Sequence, residues 1–599
     1  MDKRRGGKKP VFDSCCPNIN PLIFTSLHLH PFIVSPTMST TSTSGGTQTQ
    51  RDPWHVIARR KQDQRSRLVP KEWLIPRAKL QEYNLGSPRA NVTDVPVTCG
   101  ILTPRELEIT GDHDAVSLLD ALRRGPDDKG FTATEVVTAF CKRAAIAQQV
   151  TNCLTEIMFA SAIERARDLE AARASAPSST PLPPLWGLPI SLKDCFQIPG
   201  VDSTTGLIHF AGNPSTTYSA LPKLLLDLGA VFYCKTNVPQ TMMTADTDNN
   251  VFGRTLNPHN ARLTAGGSSG GEGALVAMHG SVLGSGTDVA GSIRIPAHCC
   301  GVYGFKPSER IVPFAGQRNP TAPGHAGILP VAGPLATSMR SCELLMKTVM
   351  THDPWKVDVN CLHVPWRGLE TPPRAAAGLK VGVVQDEGLL TPTPPIRRAL
   401  AEATEKLRVA GVELVHVELP NVMRDIGTAW TSYSLEGCKT VRGHLSAADE
   451  PLVESVKRIG LMSMPSKSLD DLFAWTVARE QAETAYRDMW LENRLDAILG
   501  PLAPHTAPPI DSWSSVALAL WNLVDYPSCI IPVGKVDETS DVVDQAAKYG
   551  EDDEKLYSMF PGPEDYANAP TALQLVGMKQ EDERLLLMAG IVDDILHSR

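Results

Sequence analysis

The chain has 599 residues, of which 45 are glycine, and its 58 basic and 66 acidic side chains give a formal charge of −8. Weak acidity with 42% hydrophobic residues suits a globular protein and argues against a general nucleic-acid binder, which would present a basic face. No run approaches the ~18 consecutive apolar residues of a membrane span, and thirteen cysteines without spaced C-x-x-C pairs read as the reduced thiols of a cytoplasmic protein.

Residues 1–70 read as a disordered extension. Met1–Pro10 is basic, and Thr37–Gln50 is a Ser/Thr/Gly/Gln tract too polar to form a core. The basic start has no clean apolar stretch or small-residue cleavage site behind it, so it does not read as a secretion signal. Met38 is a second candidate start. Thr132 and Glu135 then form a T-x-x-E capping box ahead of a helical run. After a Pro/Ser linker at Ser175–Pro184 comes the strand pattern Leu188–Lys193, with Leu188, Ile190 and Leu192 on one face and Ser191 and Lys193 on the other. Leu221–Leu228 reads as a helix and Ala230–Lys235 as a strand. Leu379–Val384, Ile396–Ala410 and Glu413–Leu419 read as strand, helix and strand. Strands Cys529–Val533 and Ala572–Val576 flank an acidic insertion at 535–565, read as a solvated loop, and Glu581–Leu596 supplies a closing helix. This alternation predicts an α/β fold with a mostly buried sheet. Length alone suggests three or four domains of about 150 residues each.

Eleven glycines fall within residues 265–304, where the chain-wide frequency predicts about three. Glycine is costly in regular structure and useful where backbone turns sharply or approaches a ligand, so this segment is the candidate active site. Gly266-Gly-Ser268-Ser-Gly270 satisfies G-x-S-x-G, but the residues before it, Asn257–Thr264, are loop-like rather than the apolar strand a nucleophile elbow requires. The chain has no complete P-loop, and Gly284-Ser-Gly286 lacks the third glycine of a dinucleotide fold. What remains is a glycine loop presenting Ser268 or Ser269, a helical stretch from Glu272 to about His279, and a small-residue turn carrying Ser292. The N–H groups of Val289, Ala290, Gly291 and Ser292 in that turn could converge on one oxyanion. The histidines show no metal-ligand spacing, and Cys299-Cys300 reads as a buried thiol pair.

Lys193-Asp194, then Gly266-Gly-Ser-Ser-Gly-Gly-Glu272, then Gly286-Thr-Asp-Val-Ala-Gly-Ser292-Ile-Arg294 together resemble the amidase signature family. Lys193 precedes Ser268 by 75 residues and Ser268 precedes Ser292 by 24, which is similar to the family's spacing. Weaker likeness runs from about Pro70 to the C-terminus, and Cys99–Ile109 looks like fungal general amidases and acetamidases. One departure is Ala290, where many members carry glycine; its N–H is kept. The resemblance implies a single α/β/α domain over 71–599, with a large twisted mixed sheet and its core motif at 265–304. It implies Ser292 as nucleophile, Ser268 as a bridging serine behind a cis Gly267–Ser268 peptide, Lys193 as base, and Met242 lining the acyl site. The implied reaction hydrolyses small-molecule carboxylic-acid amides through an acyl-enzyme, with no cofactor and no metal. A glutamine-dependent amidotransferase A-type subunit and a fatty-amide hydrolase are the alternatives, and a homodimer stays open. Arg294 is expected to pair with a charge near the site; Asp194 and Asp288 are read equally as site supports and as structural caps.

Overall fold

Alternation of apolar side chains at Leu188, Ile190 and Leu192 places one face of strand β2 (Pro189–Lys193) against a hydrophobic layer, and all five of its residues are buried. The computed structural model describes residues 52–83, 87, 90–177, 179–368, 378–515, 517–544 and 549–598. Eleven strands form one mixed sheet: β1 (Leu154–Ile157), β2, β3 (Val231–Thr236), β4 (Leu283–Asp288), β5 (Tyr303–Lys306), β6 (Val331–Ala336), β7 (Lys380–Val383), β8 (Glu413–His416), β9 (Ala497–Gly500), β10 (Ser528–Lys535) and β11 (Pro570–Val576). Their order is β1-β3-β2-β4-β6-β5-β10-β11-β9-β7-β8. Strands β3, β2 and β4 run parallel, as do β9, β7 and β8; the strands between these triplets pair antiparallel.

Helices cover the sheet. The capping box at Thr132 and Glu135 forms as expected and opens the helix Ala133–Thr151, most of which is buried. Met339–Met350 packs on β6 and on Asp582–His597. Gly270–Ala277 and Arg294–Cys300 pack on each other inside the molecule, and every residue of the second is buried. Such helices need no polar face, which is why glycine, alanine and cysteine suffice there.

Three features differ from the sequence expectation. Residues 1–51 lie outside the described residues, but Trp54–Arg67, the end of the expected disordered extension, is a helix. Ala58, Lys61 and Arg65 recur on one face and are buried. Lys61 Nζ lies 2.6 Å from Glu156 and 2.8 Å from Asp202, and Arg65 donates to the Leu154 carbonyl at 2.6 Å. Ion pairing therefore orders a helix that hydrophobicity alone would not. The acidic insertion is likewise more than a solvated loop. Its Asp541 and Asp553 are buried, accepting from Arg398 (2.7 Å) and Thr391 (2.6 Å), and Glu551–Ser558 is helical. Finally, the glycine-rich Leu283–Asp288, for which the sequence offered no element, is an interior strand. A Cβ at Gly284 would stand 2.0 Å from Glu272 Oε2, and one at Gly286 would stand 2.6 Å from Leu335 Cδ1. Glycine, normally depleted from strands, is required here by close packing.

Candidate active site

Parallel strands direct their C-terminal ends to one edge of a sheet, where loops build binding crevices. Lys193 ends β2, and Thr287 and Asp288 end the adjacent parallel β4. Between them sits the loop before the helix Gly270–Ala277. Gly266 has φ +79°, a left-handed backbone that a side chain resists, and a Cβ at Gly267 would stand 2.4 Å from the Thr244 carbonyl oxygen. The Gly267–Ser268 peptide is cis.

Folding thus brings the ammonium or amine of Lys193 to 2.7 Å from both Ser268 Oγ and Thr287 Oγ1. Lys193 is fully buried. Burial lowers its pKa to about 8 from an ordinary 10.5, against the opposing fields of Cys195, Asp288 and Glu272. Ser191, on the same strand face, donates to Glu272 at 2.6 Å, and Thr236 donates to the other carboxylate oxygen at 2.9 Å. Burial raises Glu272 to about 7 despite those bonds.

After β4 the chain turns through Val289–Ser292 into the helix Arg294–Cys300. Asp288 organises that turn: its carboxylate accepts from Gly291 N–H (2.7 Å) and Ile293 N–H (3.2 Å), and it pairs with Arg294 at 3.0 Å. Arg294 also donates to Asn522 (2.6 Å) and Gln574 (3.0 Å). Burial alone would raise Asp288; the Arg294 guanidinium outweighs it and holds the carboxyl well below the usual range. Tyr433 donates to the Val289 carbonyl at 2.8 Å from the far side. Gly291 N–H is therefore already engaged by Asp288. The N–H groups of Val289, Ala290 and Ser292 have no hydrogen-bond partner among the described residues.

Ser268, Thr287, Val289 and Ser292 line one cavity of about 270 Å³, with Met242 on its wall. Thr241 and Met242 both hold positive φ (+73° and +59°), which bends this backbone along the cavity. Of the residues anticipated from sequence, Lys193, Ser268, Ser292, Met242 and Val289 are brought together; Ala290 and Gly291 lie in the same turn. Asp194 instead caps the neighbouring loop, accepting from Thr204 (3.0 Å) and the Thr205 N–H (2.7 Å). Thr287, Glu272, Asn522, Gln574 and Tyr433 were not singled out. Thr287 and Glu272 sit inside the quoted motifs, so their spacing was available; the other three lie far along the chain and carry no local signal. Among the described residues eleven cysteines, Cys299 and Cys300 included, are free and buried.

The amidase family's sequence profile matches residues 135–586. The chain belongs to the amidase family. An amidase of Gibberella moniliformis is 35% identical over 91% of this chain and 99% of its own length. The acetamidase of Emericella nidulans is 34% identical over 91% of this chain and 98% of its own. Among solved structures, a fatty acid amide hydrolase superposes with a TM-score of 0.86 at 30% identity, covering 91% of this chain and 96% of that one. This member of the amidase family is accordingly a hydrolase of amide bonds. Among its described residues no helix is long and apolar enough to cross a membrane.

Proposed function

We propose that Lys193, Ser268 and Ser292 hydrolyse carboxylic-acid amides by way of an acyl-enzyme on Ser292. One observation carries this reading: a fully buried lysine with its pKa lowered to about 8 lies 2.7 Å from Ser268, beside a second serine lining the same cavity. A serine hydroxyl is a weak nucleophile until a base removes its proton. Neutral Lys193 takes a proton from Ser268, which takes one from Ser292 as the Ser292 oxygen attacks the amide carbon. The carbonyl π electrons move onto oxygen. The N–H groups of Val289, Ala290 and Ser292 face that charge, and each such donor is worth ~2.7–4 kcal/mol.

Collapse of the adduct breaks the C–N bond. The proton held on Lys193 returns through Ser268 to the leaving nitrogen, which departs as ammonia or amine. Water then attacks the ester, losing a proton to the same relay, and the acid leaves as Ser292 regains its proton. Lysine suits the relay because an amine near pKa 8 is a base at neutral pH and an acid once protonated. Lys193 also donates to Thr287 Oγ1, which fixes the amine in line with Ser268.

The test is covalent. A fluorophosphonate probe should add one adduct to Ser292 by peptide mass spectrometry, and Ser292→Ala should lose both adduct and amide turnover. Near-wild-type ammonia release from Ser292→Ala would end the proposal.

A further inference from the structure

The cavity that holds Ser268 and Ser292 also has a size, a wall chemistry and a charge balance, and together these limit the acyl group. At roughly 30 Å³ per water-sized group, its volume of about 270 Å³ holds about nine non-hydrogen atoms. Acetamide would fill less than half of that and leave apolar wall facing water. A sixteen-carbon amide has about twice as many atoms, so the far half of its chain would lie beyond this space and gain nothing from the wall.

Ile328, Val441, Leu461 and Met462 give the cavity apolar wall. Ile328, Val441 and Leu461 are each at most 3% exposed, so the wall is a fixed part of the core. Two charged side chains also border the cavity, one of each sign. Arg318 lies over the Phe210 ring, 5.0 Å from its centroid, and donates to the Asn213 carbonyl at 3.4 Å. Glu436 accepts from Thr440 Oγ1 at 2.6 Å and from the Ala322 N–H at 3.2 Å. Burial lowers the pKa of His325, which also lines the cavity, and favours its neutral form, against the field of Glu436. One cation and one anion on the same cavity cancel in net charge, so it offers no excess of either sign to a carboxylate or an ammonium on the substrate.

Resting on the hydrolytic reading above, we infer that the enzyme is selective for amides of uncharged, apolar acyl groups of about six to eight carbons, straight-chain or aryl. Binding energy grows with each methylene that leaves water for this wall, by roughly fourfold in affinity per CH2 if it is fully buried. Four added methylenes separate acetamide from hexanamide, so the full effect is on the order of 200-fold.

The experiment measures kcat/KM for acetamide, butanamide, hexanamide, phenylacetamide, hexadecanamide and adipamic acid, the last carrying a carboxylate at the end of a six-carbon chain. Hexanamide and phenylacetamide should exceed acetamide by more than about 50-fold, with butanamide between. Hexadecanamide and adipamic acid should fall below hexanamide. Leu461→Trp, or Val441→Phe should the first fail to give a cooperative melt, fills the wall and should cut the hexanamide-to-acetamide ratio more than tenfold. Acetamide turned over fastest, hexadecanamide turned over fastest, or adipamic acid matching hexanamide would each overturn the selectivity and leave the hydrolytic reading standing. Failure of every amide, acetamide included, would overturn the hydrolytic reading and the selectivity with it.

Discussion

In the proposed mechanism Lys193 is the residue on which pH acts most directly. An amine with a pKa of about 8 is neutral in about one molecule in eleven at pH 7, against about one in three thousand for an ordinary lysine at 10.5. Burial therefore raises the population of competent base about 300-fold at neutrality, equivalent to about 3 kcal/mol. Only the neutral form accepts a proton, so activity rises with pH through the lysine's pKa and levels off above it. With ammonia release measured at subsaturating amide, kcat/KM should climb about tenfold per pH unit below 8, reach half its maximum near 8, and be flat above 9. Lys193→Ala should abolish this limb and most of the activity with it. A profile flat from pH 6 to 10, or one still climbing with unit slope above pH 10, would refute a base made neutral by burial.

Four further outcomes follow from the contacts. Glu272→Gln removes a negative neighbour of Lys193, so the rising limb should move to lower pH, read from the same profile. Asp288→Asn leaves the Arg294 cation buried without a counter-charge, and urea unfolding should show a loss of about 3–5 kcal/mol. Lys61→Ala strips the cation from two buried carboxylates, Glu156 and Asp202; it should destabilise by a similar ~3–5 kcal/mol although Lys61 lies outside the active site. Gly267→Ala adds a methyl 2.4 Å from the Thr244 carbonyl; by displacing Ser268 it should lower kcat by about 100-fold or more while circular dichroism still shows a folded sheet.

Much of the site was legible because its key parts are local. The Gly266–Gly273 run, the Val289–Ser292 turn and the alternation ending at Lys193 each encode their own backbone, and the intervals between them carried the resemblance. The capping box at Thr132 and the strand–helix–strand unit around residues 380–416 were readable for the same reason. The strand β4 was not, since Leu-Gly-Ser-Gly-Thr-Asp matches a turn until Glu272 and Leu335 are seen to occupy the space a side chain would need. The helix Trp54–Arg67 was missed because its order comes from carboxylates about 95 and 140 residues downstream. Asp541 and Asp553 counted as solvent-facing charge for a like reason, their partners being Arg398 and Thr391.

The Arg294 contacts bear on when the site is completed during synthesis. All three proposed catalytic side chains have been made by residue 292, yet the cation that holds Asp288, and through it the turn carrying Ser292, is held in turn by Asn522 and by Gln574 on strand β11. A ribosome that has released everything through Ser292 has therefore released an unfinished site. Only when the penultimate element folds into the sheet does Arg294 acquire Gln574, the last of its acceptors. The geometry of the turn is thus set by nearly the whole polypeptide and not by the segment that carries Ser292.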